Sequence, residues 1–323
     1  MTAAADALVL IVAGAPVVLV LRAMRSARRL PAGTQRESFY MGDTLRSFLH
    51  VVPKNLEPGS ALLIVFHGGS GSPEQIRKFT DCGFEALGDS NRFAVAYPQG
   101  VGGNWNTCQK GRTNETTRRD IDDIGLVRAI VAWFAANHRI DRSCVFAVGY
   151  SNGGHMCFRL AQEATDEIAG FAAIAANRPA PADCKCSSGP VAVPMLIVNG
   201  TADPINPFLG GQLSPYGLRS LGPVLSAMET AASFAPPGAV PRRSVMASRG
   251  GRTWVERLAW SAGRRDDVVL LAIHGGGHTI PQRRYKLPIL FGRTSTEIDA
   301  PLEIWRFFRE LMPDRLPAVA TGA

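Results

Sequence analysis

The sequence predicts an α/β fold in which a mostly parallel central sheet carries helices on both faces. Short apolar runs of five or six residues recur along the chain and alternate with longer segments of helical periodicity. Such runs are typical of strands buried on both faces of a sheet, and strands that alternate with helices favour parallel pairing. A third observation is that three glycine-rich motifs each follow one of the predicted strands.

Each element is predicted from its own residue pattern. Residues 61–66 form a continuous apolar run, whereas residues 44–52 alternate between apolar and polar side chains. The predicted strands cover residues 44–52, 61–66, 92–97, 144–149, 171–176, 193–198 and 268–274. The predicted helices have apolar residues at helical spacing and cover residues 73–87, 120–137, 153–164 and 301–311.

Two stretches lack a regular pattern. Residues 99–118 read as a polar, glycine-rich loop, and residues 204–252 are rich in Gly and Pro. We expect residues 204–252 to form a cap or a substrate-binding insertion. The remaining pattern predicts a single α/β domain over residues 36–315, followed by a tail over residues 316–323.

The first 35 residues are expected to lie outside the fold, as a hydrophobic leader or anchor with a basic linker. Residues 7–21 form an apolar run that is interrupted only by Gly14 and Pro16 and is followed by four arginines. The run is short for a membrane span and suits the core of a signal peptide, but no basic residue precedes it. We expect a secreted protein or one attached to a membrane through residues 7–21. A cytoplasmic location is the alternative.

The charge pattern argues against a nucleic-acid partner. The formal charge of +8 at pH 7 comes mainly from scattered arginines, without interleaved aromatic residues. We therefore expect a solvated basic surface.

The six cysteines fall into two groups. Cys144 lies in a predicted strand and Cys157 in a predicted helix, where buried thiols are common. The other four, in predicted loops or helix ends, could form disulfides outside the cytosol and are Cys82, Cys108, Cys184 and Cys186. Cys184-Lys185-Cys186 resembles half of a metal site, but no second half has suitable spacing, so we expect no metal.

A nucleophile elbow is predicted at Gly149-Tyr150-Ser151-Asn152-Gly153, which has the form G-x-S-x-G. Ser151 follows a short apolar strand and precedes a helix, and the flanking glycines leave room for a sharp turn. The N–H of Asn152 would then face a developing oxyanion at the helix N-terminus. This context indicates the α/β-hydrolase fold, with Ser151 as nucleophile.

The acid is expected downstream of the serine, as the chain order of that fold requires. Asp203 follows the strand 193–198, in a turn before Pro204, from which a carboxylate can reach an imidazole. Asp122 and Asp123 are alternative acids. They precede the serine and open a helix, where capping explains them.

The base is expected to be His278, which follows the run Gly275-Gly276-Gly277 in a loop that can reach over the serine. His274 is the competitor, but it ends the preceding strand and is expected to pack there. We do not expect the two histidines to form a metal site, because ligands four residues apart need a helix and three glycines disfavour one.

The second oxyanion donor is expected in the loop His67-Gly68-Gly69-Ser70, at Gly69 or at its neighbours Gly68 and Ser70. His67 is expected to be a structural partner of this loop. Trp105 and the insertion over residues 204–252 are expected to wall the substrate pocket, because the sheet needs neither of them. Packing of Trp105 within its own loop is the alternative.

Five motifs taken together resemble one known family. They are His67-Gly68-Gly69-Ser70-Gly71-Ser72, Gly103-Asn104-Trp105-Asn106, Asp122-Asp123-Ile124-Gly125, Gly149-Tyr150-Ser151-Asn152-Gly153-Gly154 and Gly275-Gly276-Gly277-His278-Thr279. The chain resembles the polyhydroxybutyrate depolymerase and feruloyl esterase type of α/β-hydrolase, similar to carbohydrate esterase family one, over residues 45–311.

This resemblance implies a secreted serine esterase that needs no cofactor and that cleaves polyesters, or acetyl and feruloyl esters on plant polysaccharide. It places the nucleophile, acid and base on Ser151, Asp203 and His278. Members commonly have Trp two residues after the histidine, where this chain has Ile280. A peptidase or acyltransferase on the same fold, and a non-catalytic binding module, remain as alternatives, because a fold does not fix the reaction.

Overall fold

The computed structural model describes residues 33–186, 189–248 and 250–313. Within these ranges the strands are β1 (Thr34–Met41), β2 (Thr44–Val51), β3 (Leu62–Phe66), β4 (Ala94–Pro98), β5 (Val145–Tyr150), β6 (Gly170–Ile174), β7 (Met195–Gly200), β8 (Gly211–Gln212), β9 (Pro223–Val224), β10 (Arg242–Ala247), β11 (Trp254–Trp260) and β12 (Val268–His274). The α-helices are α1 (Pro73–Phe79), α2 (Gly83–Asn91), α3 (Glu115–Arg118), α4 (Asp123–His138), α5 (Asn152–Glu163), α6 (Ala227–Ala232) and α7 (Ala300–Arg309).

One sheet of ten strands organises the described residues, in the order β1-β2-β4-β3-β5-β6-β7-β12-β11-β10. The six strands from β4 to β12 are parallel to one another. Antiparallel strands flank them at both ends. The predicted α/β-hydrolase class, with a mostly parallel sheet and helices on both faces, is confirmed.

Two apolar layers enclose the sheet. Every residue of β3, β5 and β7 is buried, as expected for strands covered on both faces. On one face, α4 and α5 contribute Val127, Ile130 and Phe158 to the core. On the other face, α7 contributes Trp305 and Phe308. Because the six central strands are parallel, their carboxyl ends lie at one edge of the sheet, where loops can bring distant side chains into contact.

The structure corrects two predicted boundaries. Thr34 and Gln35 belong to β1, so the folded part begins before residue 36. The single helix predicted over residues 73–87 is two helices, because Asp81 and Cys82 adopt positive φ angles of 49° and 54° between them. The apolar run 7–21 and the tail 316–323 lie outside the described residues. Among those described, no helix combines the length and apolar character needed to cross a bilayer.

Residues 204–252 divide into two parts with different roles. Their first part carries the short β8–β9 pair beside the cavity described below. Their second part includes α6, which packs in the core, and β10, which is the last strand of the main sheet. The expectation of a single cap or insertion over residues 204–252 is therefore wrong for the second part, which the sheet uses as an edge.

A disulfide joins Cys108 to Cys186, 78 residues later in the sequence. It ties the polar loop after β4 to the segment that follows β6, and the backbone N–H of Lys185 donates to the Cys108 carbonyl beside it. Cys82 and Cys184 remain thiols. Of the four cysteines that were candidates for disulfides in the sequence, one pair forms a disulfide.

We expect replacement of both bonded cysteines, Cys108→Ser with Cys186→Ser, to lower the free energy of unfolding by about 2–4 kcal/mol, because the cross-link restricts the unfolded chain. Urea unfolding with and without a reductant measures the effect. The reductant should destabilise the wild type and leave the double variant unchanged, with Cys82→Ser as a matched control. An equal response of all three proteins would contradict this prediction.

Candidate active site

Ser151 lies in a sharp turn between β5 and α5, with φ of 53° and ψ of −114°. This conformation is strained for a residue with a side chain, and the close packing around it holds the strain. A Cβ on Gly149 would collide with the Gly153 carbonyl, and one on Gly153 would collide with the Phe66 carbonyl. The Ser151 N–H donates to the Ile174 carbonyl at 2.8 Å. The two glycines therefore let the helix approach the sheet closely enough to form the turn.

His278 reaches the serine from the loop after β12. Its Nε2 lies 2.9 Å from Ser151 Oγ, and its Nδ1 lies 2.8 Å from Asp203 Oδ2. Two further bonds fix its backbone: the His278 N–H donates to the Phe291 carbonyl, and the Tyr150 hydroxyl donates to the His278 carbonyl. The ring is buried at 3% exposure. Hydrogen bonds thus hold both the backbone and the imidazole ring of His278 in place.

Asp203 lies in the turn after β7 with a fully buried side chain. Its Oδ1 accepts the N–H groups of Ile205 and Asn206, each at 2.8 Å, which leaves Oδ2 for the imidazole. A carboxylate whose oxygens both accept is held in one orientation, and it keeps the His278 Nδ1 proton on the side away from the serine.

The competing residues have other partners. Asp122 caps α4 by accepting the Gly125 N–H at 2.7 Å. Asp123 pairs with Arg46 at 2.5 Å. His274 stacks on Trp254 at the end of β12. The structure brings together Ser151, Asp203 and His278 and places none of these alternatives with them.

The loop after β3 is oriented by His67. The Gly100 N–H donates to His67 Nε2 at 3.0 Å, so the ring proton lies on Nδ1 and is donated to the Gly68 carbonyl at 2.7 Å. In a trans peptide the next N–H points away from that carbonyl. The Gly69 N–H is thereby turned away from His67, and Gly69 lines the cavity above Ser151.

The second predicted donor is the N–H of Asn152. Asn152 is the first residue of α5, so its N–H has no acceptor within the helix. Gly68 and Ser70, the other candidates in the loop after β3, line the same cavity. Asn152 and Gly69 therefore line the cavity beside Ser151 from two different elements, as expected for the two predicted oxyanion donors.

Trp105 does not wall the cavity, and the expectation that it contacts substrate is wrong. The indole is fully buried and its Nε1 donates to the His67 carbonyl at 2.8 Å. The Trp105 N–H donates to Asn152 Oδ1 at 2.9 Å. A buried indole needs an acceptor for its N–H, and the end of β3 supplies it. Trp105 thus joins the two segments that carry the predicted oxyanion donors.

Asp123 holds the loop that carries Trp105 through a hydrogen bond to the next residue, Asn106, a role that was not predicted from the sequence. It is fully buried, and its Oδ2 accepts the Asn106 N–H at 2.7 Å. Burial raises the pKa of the Asp123 carboxyl, and the charge of Arg46 opposes that rise. The capping interpretation holds for Asp122, whereas the Asp123 carboxylate bonds to Asn106 and Arg46. The sequence signal was the motif Asp122-Asp123-Ile124-Gly125, in which the second acidic residue is not needed for capping.

A cavity of about 320 Å³ opens above Ser151 and His278. Apolar side chains form one part of its wall, namely Phe79, Ile205, Leu213, Leu221 and Phe291. Polar side chains line another part of it and include Gln75, Asn104, Arg112 and Arg219. The first part of the 204–252 segment therefore does line the cavity, as expected. A hydroxyl bonded to an imidazole, with backbone donors beside it, can attack a carbonyl group held in such a cavity.

Comparison with known proteins shows related esterases. No protein-family model matches this chain. The chain is 32% identical over 279 residues to the putative esterase NocK of Nocardia uniformis subsp. tsuyamanensis, covering 82% of this chain and 79% of NocK. It is 30% identical over 163 residues to poly(3-hydroxyalkanoate) depolymerase C of Paucimonas lemoignei, covering 50% of this chain but only 37% of that protein.

Two further comparisons agree with these. The bifunctional acetylxylan esterase/xylanase XynS20E of Neocallimastix patriciarum is 30% identical over 158 residues, which cover 49% of this chain and 21% of that protein. Among solved structures, an acetyl xylan esterase from Aspergillus awamori superposes with a TM-score of 0.53 at 18% identity, covering 77% of this chain and 95% of that one. At this identity the superposition establishes the fold.

We expect His67→Leu to lower kcat for ester hydrolysis by about 10- to 100-fold with a smaller change in KM. This substitution removes the hydrogen bond that His67 donates to the Gly68 carbonyl and should misalign the N–H of Gly69, the predicted oxyanion donor. Complete loss of such a donor lowers kcat by more than this in other enzymes. Steady-state kinetics on 4-nitrophenyl acetate measure this effect.

His67→Asn is the matched variant, because its amide can still donate to the Gly68 carbonyl from near the Nδ1 position. It should retain more of kcat than the leucine variant. Equal losses in both variants, or a loss confined to KM, would contradict the positioning role of His67.

Proposed function

The chain belongs to the esterase family that includes NocK, and on that premise we propose that Ser151, His278 and Asp203 hydrolyse carboxylic esters through an acyl-enzyme. The observation that carries the proposal is the continuous hydrogen-bond chain from Ser151 Oγ through the imidazole to a buried carboxylate. The chain is an esterase by family. The use of Ser151 as nucleophile and the roles of the other two residues are our inference.

The first half of the reaction transfers the acyl group to the enzyme. Ser151 Oγ attacks the ester carbonyl carbon while His278 Nε2 takes its proton, and Asp203 stabilises the resulting imidazolium. The N–H groups of Asn152 and Gly69 stabilise the oxyanion. When the tetrahedral intermediate collapses, the imidazolium gives its proton to the departing alkoxide, and an alcohol leaves.

The second half restores the enzyme. Water attacks the acyl-enzyme carbonyl while His278 accepts one of its protons, and the same two N–H groups stabilise the second oxyanion. Collapse of this intermediate returns the proton to Ser151 and releases the carboxylic acid. Each proton has a defined donor and acceptor, and no cofactor takes part in these steps.

We propose that the substrate is a short-chain hydroxyalkanoate ester or an acetyl ester of polysaccharide. The relatives named as a hydroxyalkanoate depolymerase and an acetylxylan esterase support these two classes. A cavity of about 320 Å³ admits one short acyl unit, so a polymer would present one unit at a time. Comparing hydroxybutyrate oligomers with acetylated and feruloylated xylo-oligosaccharides distinguishes the classes. Equal rates on all of them would contradict both.

Export of the protein is a further part of this proposal. The Cys108–Cys186 disulfide supports it, since such bonds persist in oxidising compartments. The apolar run 7–21, which would act as a leader or as a membrane attachment, lies outside the described residues. Cell fractionation followed by sequencing of the mature N-terminus tests the proposal, and intact Met1 on soluble cytoplasmic protein would overturn it.

We expect Ser151→Ala to lower kcat/KM on 4-nitrophenyl butyrate by about ten-thousand-fold or more, because the nucleophile is removed while the fold is kept. The variant should also fail to react with a fluorophosphonate probe. Ser90→Ala changes an exposed serine on α2 and serves as the matched control.

Wild-type activity in Ser151→Ala would refute the residue assignment. Faster cleavage of peptide amides than of matched esters would favour a peptidase. An acyltransferase would form the transfer product rather than the free acid when an acceptor alcohol is present. Absence of probe labelling in the wild type would favour a binding module.

A further inference from the structure

The cavity above Ser151 carries positive charge without an acidic counterpart. Arg112 and Arg219 both line it, and no Asp or Glu is among its lining residues in the described part of the chain. The two arginines come from different segments, one after β4 and one after β8. Arg219 Nη2 donates to Thr113 Oγ1 at 2.9 Å, which holds the two segments together at this wall.

Arg112 is buried, at 9% exposure, yet no carboxylate of the described residues pairs with its guanidinium. Its recorded hydrogen bond runs from Nε to Gln109 Oε1, which is a neutral acceptor. Burial and the neighbouring Arg219 lower the pKa of Arg112 to about 10, so the side chain stays charged at neutral pH. A buried charge without a partner is costly, so an anionic group of a ligand that entered the cavity would offset that cost.

The titratable groups near Arg112, namely His155 and Asp183, do not neutralise the charge of its guanidinium. His155 is buried on the first turn of α5, and burial, followed by the charges of Arg112 and His278, lowers its pKa well below the usual value. His155 is therefore neutral and adds no charge. The nearby carboxylate of Asp183 accepts the Gly111 N–H at 2.9 Å and forms no ion pair with Arg112.

We propose that Arg112, assisted by Arg219, binds a carboxylate carried on the acyl or the alcohol part of the substrate, so that this esterase prefers anionic esters. The inference rests on the proposed function, because the same cavity borders both Ser151 and Arg112. A guanidinium binds a carboxylate through two parallel N–H donors, and the Nη groups of Arg112 are not used elsewhere among the described residues. The apolar wall formed by Phe79 and Leu213 would hold the hydrocarbon between the two groups.

Two pairs of esters that differ in one charge test the proposal. Mono-4-nitrophenyl adipate is compared with 4-nitrophenyl hexanoate for charge on the acyl part, and 3-acetoxybenzoate with phenyl acetate for charge on the alcohol part. The measured quantity is the ratio of kcat/KM for the charged and neutral members of each pair. Wild-type enzyme should favour the charged member of at least one pair.

Arg112→Gln should lower that ratio by about 10- to 100-fold, the usual scale for a charge-assisted bidentate contact. The effect should fall mainly on KM. Arg219→Gln should lower the ratio by a smaller factor, Arg112→Lys should retain part of it, and Arg264→Gln, at an exposed position away from the cavity, should leave it at the wild-type value. Circular dichroism establishes that each variant folds.

A ratio that is the same in the wild type and in both glutamine variants would overturn the proposal, as would equal losses on charged and neutral esters. If wild-type enzyme hydrolyses none of the four esters, the proposed function itself is in question. The anion site is then tested separately, by measuring the binding of adipate. Calorimetry with adipate should then show binding by wild type and by Ser151→Ala, and loss of it in Arg112→Gln. No adipate binding by the wild type would overturn the anion site.

Discussion

The close contact of α5 with β3 and β5 is the constraint on which the rest of the site depends. Gly149 and Gly153 let three backbone segments touch where side chains would keep them apart. That contact forces Ser151 into a positive φ angle and fixes the N-terminus of α5 beside the end of β3. The strain is sustained because the strands on both sides are completely buried. The proposed nucleophile, one proposed oxyanion donor and the loop that bears the other are therefore positioned by the same packing contact.

A series of buried polar contacts makes this arrangement rigid. Trp105 bonds to the end of β3 and to the side chain of Asn152, while the next residue in the chain bonds to Asp123. The Asp123 carboxylate pairs with Arg46 of β2, which ties the series to the sheet. Such bonds are strong in a low dielectric, and leaving any one of them unmade would be costly. In the proposed reaction, the N–H groups of Asn152 and Gly69 would therefore need little reorganisation when negative charge develops in the cavity.

The sequence predicted the central strands well, because burial on both faces leaves unbroken apolar runs. The G-x-S-x-G signal was equally direct, since only glycine fits at its two ends. β1, β10 and β11 were missed because strands near a sheet edge have a solvated face and carry charged residues. Trp105 was misplaced and Arg112 overlooked for one reason: their loop has no periodicity, and tertiary packing alone decides what its side chains touch. The similarity to depolymerases and carbohydrate esterases, read from the motifs, is confirmed by the relatives.

Among the described residues, β10 ends the sheet with one side of its backbone unpaired, and such an edge can recruit a strand from another molecule. Arg242 and Arg243 lie on this strand, paired with Asp266 and Glu256, and its register shifts between Val245 and Ala247. Charge and a bulge at an open edge oppose regular strand addition. The charged residues and the register shift of β10 therefore disfavour edge-to-edge association of two molecules through this end of the sheet, which lies opposite to β1.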